Sequence, residues 1–319
     1  MIICEKSFEK GVIIMGIHIR GKQLKNVRNI GLILCLALLL SGCQAVSFLS
    51  RPAAGTGTSD RDVQDVAGEM KVTFLDVGQG DCTIIQESGH SMVIDAGNNG
   101  QGSKVAAYLD EQGIEQLDYL ILTHPDADHI GGADDVMERV EIRQVIMPDI
   151  TNDTKTYEEV EDDIDAMDIE VIYPEVGQSY ELGEASFEIL CPKEAKENDM
   201  NVSSVGIKLT HGEKSFVMCG DAEIPSEEAM IESFGSSLEC DVLKCGHHGS
   251  STATSEAFLE DTDPTWAVIS CGENNRYGHP HAEVISRLED ADVQIYRTDQ
   301  HGTVTAVSDG ENISWKSEK

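Results

Sequence analysis

The stretch His124-Pro-Asp-Ala-Asp-His129 places two imidazoles and two carboxylates within six residues, directly after the apolar run Tyr119-Leu-Ile-Leu-Thr123. Such a run is consistent with a buried strand, so the six residues should form a loop at its end. Imidazole and carboxylate groups together suit zinc, manganese or iron. Burying this many ionisable groups without a metal would be costly. The stretch therefore predicts a metal site.

Two later segments carry matching chemistry, Gly220-Asp221 and His247-His-Gly-Ser250. A bridging carboxylate such as Asp221 would let two cations lie about 3.5–4 Å apart. Such a pair lowers the pKa of a shared water toward about 7, which gives a hydroxide nucleophile at neutral pH. We therefore expect two divalent ions, zinc or manganese, as cofactors.

Short apolar runs and amphipathic segments alternate between residues 70 and 316. Strands are predicted at 71–76, 82–85, 92–95, 120–122, 186–191, 204–210, 215–219, 241–245, 266–271 and 293–296. Helices are predicted at about 105–114, 157–167, 226–233, 254–261 and 281–289. This alternation, without a sequence repeat or a second linker, predicts a single α/β domain over residues 70–316.

Residues 1–42 have the pattern of an export signal, with a basic lead followed by an apolar stretch at 30–40 that is short for a membrane span. The stretch ends in Leu40-Ser-Gly-Cys43, which resembles the lipobox of bacterial lipoproteins. The resemblance implies that Cys43 is the lipid-modified first residue of the mature chain; the alternative is an uncleaved anchor helix. Residues 43–69, rich in Ser, Ala, Gly, Thr and Asp, predict a flexible tether. We expect an exported protein, anchored through its lipid alone to the outer face of the bacterial cell membrane.

Acidic residues outnumber basic ones by 58 to 23, and the net charge is -35. Because phosphate contacts from Lys and Arg dominate nucleic-acid affinity, tight nonspecific DNA binding by the protein surface is not expected. The charge indicates a solubilising coat. The local positive charge needed to hold a phosphate can instead come from bound metal ions.

The order and spacing of these segments resemble the metallo-β-lactamase fold hydrolases, whose motif is H-x-H-x-D-H and appears here as the variant H-x-D-x-D-H. More narrowly, the chain is similar to the carboxy-terminal metallohydrolase domain of ComEC-type competence proteins and to extracellular phosphorylcholine esterases. The resemblance implies an αββα sandwich of the α/β class. It is carried by Phe74–Asp81, Val93–Gly97, Thr123–Gly132, Asn201 with Ser203–Val205, Gly220-Asp221, Leu243–Ser250, Tyr277–His281 and Arg297–Asp299.

The resemblance implies six metal ligands: His124 and Asp126 for the first ion, Asp128, His129 and His247 for the second, and Asp221 between them. The sequence leaves open which of His247 and His248 is the ligand. Asp95 is expected to orient a ligand by a hydrogen bond from behind. Asp128, His248 and His279 are the candidates for catalysis, the two histidines as groups that contact the substrate phosphate or protonate the leaving group.

Many members of the family supply a further histidine to the first ion. The candidate in the corresponding stretch, His211, lies in a predicted turn, so Asn201, Ser203 or Ser204 is expected in its place. An oxygen-rich first site would favour manganese or make that ion exchangeable.

The function implied is a phosphodiesterase that acts on DNA or on a cell-wall phosphodiester such as phosphorylcholine or teichoic acid. Hydrolysis of a β-lactam or a thioester fits the family subtype less well. The rival class is a non-catalytic surface lipoprotein that keeps the fold as a binding module. No protein partner is predicted.

Overall fold

The computed structural model describes residues 68–196 and 198–319. The predicted signal peptide, Cys43 and the predicted tether up to residue 67 lie outside the described residues. Among the helices of the described part, none combines the length and the apolar character that a membrane crossing requires.

In the part of the chain that the structure describes, fifteen strands form two mixed sheets. The strands are β1 (Met70–Phe74), β2 (Thr83–Glu87), β3 (His90–Ile94), β4 (Gln116–Ile121), β5 (Glu141–Ile146), β6 (Glu170–Ile172), β7 (Ser179–Leu182), β8 (Ala185–Cys191), β9 (Gly206–His211), β10 (Lys214–Met218), β11 (Val242–Lys244), β12 (Trp266–Ile269), β13 (Gln294–Arg297), β14 (Val304–Ser308) and β15 (Ile313–Ser317). The first sheet has the order β15-β14-β1-β2-β3-β4-β5-β6, and the second has the order β13-β12-β11-β10-β9-β8-β7. Strands β3 to β6 are parallel, as are β10 to β13.

Eight α-helices and three short 3-10 turns connect the described strands. The helices are α1 (Gly102–Glu111), α2 (Ala127–Ile130), α3 (Ala133–Arg139), α4 (Lys155–Ala166), α5 (Ile224–Phe234), α6 (Glu256–Thr262), α7 (Ala282–Asp290) and α8 (Thr298–His301). The 3-10 turns are Asn201–Ser203, Gly235–Leu238 and Gly246–Gly249.

A central apolar core lies between the two sheets. Phe74 and Met92 of the first sheet share this core with Phe187 and Phe216 of the second, and all four are buried. Successive residues of a strand point to opposite faces of its sheet. Each inner strand therefore also carries apolar side chains on the opposite face, and these need a second layer to cover them.

Helices cover the outer face of each sheet. On the first sheet, Leu109 of α1 and Val160 of α4 pack in one outer core. On the second sheet, Met230 of α5, Phe258 of α6 and Val284 of α7 pack in another. The layers follow the order helix, sheet, sheet, helix, so the predicted α/β class and the single-domain αββα sandwich are confirmed.

Candidate metal centre

The loops that carry the predicted residues follow parallel strands. Asp95 follows β3, the stretch 124–129 follows β4, Asp221 follows β10, His247 and His248 follow β11, and His279 follows β12. The carboxyl ends of parallel strands within a sheet meet at one edge, which is where open α/β sheets bind ligands. Residues far apart in sequence are thereby brought to one cleft.

The backbone of the stretch 124–129 is fixed by its neighbours. Ala96 N donates to His129 O at 2.7 Å, and Asp81 N donates to Asp128 O at 3.1 Å. A Cβ on Gly80 would lie 2.5 Å from Asp128 O, so this close approach requires glycine. The loop that contains Gly80 therefore packs against the stretch 124–129 and fixes the position of its backbone.

His129 lies at the middle of the centre and is fully buried. Its Nδ1 donates to Asp95 Oδ2 at 2.7 Å, and Asp95 Oδ1 accepts from Thr123 N at 2.8 Å. This arrangement turns Nε2 toward Asp221, whose Oδ1 is 3.1 Å away. Asp95 thus contacts a histidine of the centre from behind, the geometry in which a carboxylate fixes the ring and tautomer of a metal-binding histidine.

His248 lies beside Asp128 and Asp221. Its Nε2 is 3.4 Å from Asp128 Oδ2 and 3.6 Å from Asp221 Oδ2, while its Nδ1 donates to Ser270 O at 3.0 Å. The side chain is 2% exposed. The structure therefore brings His248, rather than the expected His247, together with Asp128 and His129.

His247 contacts Asp221 and Glu223. Its Nε2 is 3.6 Å from Asp221 Oδ2, its Nδ1 is 3.1 Å from Glu223 Oε1, and its side chain is 24% exposed. His247 and His248 both have positive φ, 49° and 54°, which is uncommon for residues other than glycine. This turn directs the two consecutive rings to different neighbours.

His124 is buried beside His129, with 4.1 Å between the two ring centroids. Its Nδ1 is 3.1 Å from Thr123 Oγ1 and 3.4 Å from Ser204 Oγ, and its Nε2 is 3.7 Å from Asp126 Oδ2. Ser204 Oγ also accepts from Asp221 N at 3.2 Å. Ser204 therefore contacts two predicted ligands, His124 and Asp221, and helps to position both.

The other residues considered for the first ion lie elsewhere. Asn201 Nδ2 is 3.5 Å from His247 Nδ1, whereas Ser203 Oγ donates to the carbonyl oxygens of Lys196 and Asp199. His211 lies at the end of β9, where its Nδ1 is 3.0 Å from Ser308 Oγ. Of these residues, the structure leaves Asn201 beside the cleft.

The side chains present fit a divalent metal centre. Three buried histidines share one arrangement: Nδ1 contacts another group of the protein, and Nε2 is buried without a hydrogen-bond partner among the described residues. They are His124, His129 and His248. Buried polar atoms without partners are rare in folded proteins. Ligand atoms of His124, His129 and Asp221 lie within 4.8 Å of one another, as do those of Asp128, His129 and His248. Two overlapping sets of nitrogen and carboxylate oxygen donors match the ligands of zinc or manganese.

The charges of the centre are strongly coupled. Burial opposes ionisation of Asp221, but His129 and His248 hold its pKa well below the ordinary value. Burial likewise opposes protonation of His248, but Asp221 and Asp81 raise its pKa to about 10. Burial, together with the nearby His248, lowers the pKa of His279 to about 4. The carboxylates therefore attract positive charge, while the His279 ring is neutral at neutral pH.

A cleft of about 160 Å³ opens over the centre. Asp128, His248 and His279 are part of its lining. At the mouth, Tyr277 is 48% exposed, and its ring stacks on His279 with 5.6 Å between centroids. The Arg276 guanidinium lies 4.9 Å from the Tyr277 ring centroid. A ligand entering the cleft would therefore meet an aromatic ring and a cation at the rim.

Asp81 and Lys244 received no role from the sequence analysis, although both lie in segments that carry the family resemblance. Lys244 Nζ donates to Asp81 Oδ2, and both side chains are almost fully buried beneath the centre. Asp81 Oδ1 lies 3.4 Å from His248 Nδ1. A lysine directly after the apolar residues of a short buried strand was the available signal, because such a charge is rarely buried unless it is paired.

Two facing mixed sheets with helices outside, and a His/Asp centre at one edge, define a metallo-β-lactamase fold. The sequence model of the metallo-β-lactamase superfamily matches residues 75–273. The chain belongs to this superfamily, whose fold is that of metallohydrolases. The resemblance to metallo-β-lactamase fold hydrolases that the sequence indicated is therefore confirmed.

The chain is similar to ComE operon protein 3 of Bacillus subtilis, with 31% identity over 258 residues, covering 75% of this chain and 33% of that protein. It is also similar to Recombination protein 2 of Haemophilus influenzae, with 33% identity over 223 residues, covering 68% of this chain and 26% of that protein. The chain thus spans a third or less of the length of these relatives. The solved structure of Igni18, a metallo hydrolase from Ignicoccus hospitalis, has 16% identity and a TM-score of 0.52, covering 74% of this chain and 98% of that one, and supports the fold.

Proposed function

We propose that the protein is a metal-dependent phosphodiesterase that works outside the cell. The observation that carries this proposal is the convergence, beneath an open cleft, of the Asp128 and Asp221 carboxylates with three buried Nε2 atoms that have no hydrogen-bond partner among the described residues. Buried polar atoms without partners are costly in a packed interior, and a bound cation would satisfy ligand atoms that lie this close together.

We assign the two ions, zinc or manganese, to two overlapping ligand sets. Asp128, His129 and His248 hold one ion, and His124 and Asp126 hold the other. We place Asp221 between them, since one of its oxygens lies within 4.8 Å of a ring nitrogen of His124 and its Oδ2 is 3.6 Å from His248 Nε2. His247, whose Nε2 is 3.6 Å from the same Oδ2, joins His124 and Asp126 in place of the histidine that many family members supply.

Divalent ions held there supply an activated water and neutralise the charge of a phosphate. The chain's own residues orient these ligands. Asp95 fixes His129 through Nδ1, and Glu223, which also accepts from Thr252 Oγ1 at 2.9 Å, holds His247. His279, a neutral ring with Nδ1 unpartnered among the described residues, contacts the substrate phosphate or its leaving group at the mouth of the cleft.

DNA is the first substrate class to test, because the chain is similar to proteins named for competence and recombination. The acidic composition favours short contacts at the cleft over extended binding along a duplex. The exposed Tyr277 ring beside the cleft suits a stacked base, since aromatic rings stack on single-stranded nucleic acids. A cell-wall phosphodiester that contains choline is the alternative, because aromatic faces also attract quaternary ammonium groups.

We expect Asp128→Ala to lower hydrolysis of bis-p-nitrophenyl phosphate by more than about 100-fold, because even groups that only orient metal ligands are worth about 10–100-fold. The measurement compares wild type and variant with zinc and with manganese, then repeats the assay on single-stranded DNA, duplex DNA and choline-phosphate esters. Asp134→Ala, an exposed aspartate on the neighbouring α3, is the matched control and should keep full activity. A wild type inactive with both metals on every substrate would favour the non-catalytic binding module.

We also propose that Cys43 carries the lipid that anchors the protein to the outer face of the cell membrane. The support is the lipobox-like sequence Leu40-Ser-Gly-Cys43. Cys43→Ala should move the protein from the membrane fraction to the soluble exported fraction or block processing, and it should abolish incorporation of labelled fatty acid. Cys82→Ala, which removes a buried thiol of the domain, is the control for labelling. Unchanged labelling of the Cys43 variant would show that the anchor lies elsewhere.

A further inference from the structure

Gln79 lies in the loop between β1 and β2, directly against the centre. Its Oε1 accepts a hydrogen bond from Gly272 N at 3.1 Å. The two loops are in close contact there, because a Cβ on Gly272 would lie 2.7 Å from Gln79 N. The next residue, Gly80, packs against Asp128 O. Gln79 is thus held between the loop after β12 and the stretch that carries Asp128.

This contact determines which atom of the Gln79 carboxamide is held by the loop after β12 and which is left for another partner. Gly272 N–H is a donor, so the atom opposite it must be the oxygen. The amide Nε2 then points away from Gly272. It is buried, has no hydrogen-bond partner in the described part of the chain, and belongs to a residue that lines the cleft with Asp128 and His248.

An unpartnered amide N–H at this position needs an acceptor. An amide nitrogen carrying two hydrogens is a donor and does not bind a cation. The other carboxamide of the cleft, Asn201, already has Glu223 Oε1 and His247 Nδ1 within 3.5 Å of its Nδ2. Unlike Asn201 Nδ2, Gln79 Nε2 is therefore available to donate a hydrogen bond to an acceptor oxygen of a ligand.

We propose that Gln79 is a substrate-binding residue whose Nε2 donates a hydrogen bond to a non-bridging phosphoryl oxygen of the bound phosphodiester. This inference rests on the proposed function for the identity of the ligand. The carboxamide is anchored by Gly272 before the substrate arrives, so its donor is already oriented. A preorganised donor of this kind stabilises charge that develops in the transition state more than it stabilises the ground state.

The test is Gln79→Glu, which keeps an oxygen to accept from Gly272 N but replaces the donor facing the cleft with a second acceptor. We expect kcat/KM for bis-p-nitrophenyl phosphate to fall about 100-fold, within the range for loss of one preorganised donor. Inhibition by inorganic phosphate should weaken at least about tenfold, a loss of about 1.4 kcal/mol. Metal content and the thermal unfolding midpoint should stay at the wild-type values. Gln294→Glu adds the same charge at the start of β13, the opposite end of a parallel strand, and should change none of these quantities.

Gln79→Met, which removes both the anchor and the donor without adding charge, separates the effect of charge from that of the lost hydrogen bond. It should also weaken phosphate inhibition. If Gln79→Glu and Gln79→Met both keep wild-type phosphate binding, or if they lose activity together with their metal ions, the assignment of Gln79 to substrate is overturned. Direct titration of the metal-loaded proteins with inorganic phosphate separates this inference from the proposed function. A wild type that binds phosphate more tightly than Gln79→Glu supports Gln79 even if no diester is hydrolysed.

Discussion

Replacing Asp221 with Asn should abolish phosphodiester hydrolysis and leave the protein folded. Asp221 is buried near predicted ligands of both ions, with one oxygen within 4.8 Å of a His124 ring nitrogen and Oδ2 3.6 Å from His248 Nε2. The substitution conserves shape but turns one oxygen into an N–H donor that faces ring nitrogens or cations. We expect a fall of about 10³-fold in kcat, the upper end of what loss of one preorganised electrostatic group costs.

Metal content is the second readout for Asp221→Asn. Elemental analysis should find fewer than the two ions expected for the wild type, because a carboxylate shared by both positions is lost. Asp290→Asn, an exposed aspartate at the end of α7, makes the same chemical change away from the cleft and should keep both rate and metal. An Asp221→Asn protein with wild-type rate and two bound ions would remove the bridging role.

Replacing Lys244 with Met should lower the free energy of unfolding by about 3–5 kcal/mol, the typical cost of breaking a buried ion pair by removing one partner. Lys244 and Asp81 are 4% and 2% exposed. Burial disfavours the Lys244 ammonium, but the adjacent Asp81 raises its pKa, so the lysine is charged at neutral pH. Without it, the buried Asp81 carboxylate loses its ammonium partner and keeps only the His248 and His129 rings, 3.4 and 3.9 Å away. Urea unfolding in the presence of a chelator measures this cost without a contribution from bound metal.

Two further variants separate burial from charge pairing. Lys214→Met removes a lysine whose Nζ is 2.9 Å from Asp241 Oδ1 in a pair that is 22% and 20% exposed, and its cost should stay near 1 kcal/mol or less, that is, about the value of solvent-exposed pairs. Lys244→Met combined with Asp81→Leu removes both buried charges and should recover part of the stability. If Lys244→Met lowers the free energy of unfolding no more than Lys214→Met does, the buried Lys244–Asp81 pair does not contribute to stability in the way that we expect.

Secondary structure was predictable from the sequence where a segment has an uninterrupted pattern of apolar residues that become buried. The strand predicted at 186–191 is Ala185–Cys191, and the helix predicted at 226–233 is Ile224–Phe234. The helix predicted to begin at 254 begins at Glu256 instead, because Ser255 caps it by accepting from Phe258 N and Thr254 has a φ of 54°. Local chemistry therefore determines these elements to within a few residues.

The edges of the sheets were not predictable in the same way. Strands β6 and β7 have three and four residues, too few for a distinct pattern. Strand β14 pairs with β1, in a register that sets Val304 opposite Phe74. On that side its partners are more than two hundred positions earlier in the chain, whereas on the other side it pairs with the neighbouring β15. No local pattern in residues 304–308 contains that information.

The sequence by itself predicted the ligand chemistry, the order of the loops that carry it and the α/β class, because buried runs and clustered His and Asp residues are local features of the chain; the αββα arrangement came from the family resemblance. The tertiary structure alone decided that His248 rather than His247 lies with Asp128, and that Gln79 accepts from Gly272 N while its amide nitrogen stays without a partner among the described residues. Ring and amide directions depend on backbone dihedrals and on partners from distant strands, such as Ser270 and Gly272. Spacing along the chain specifies neither.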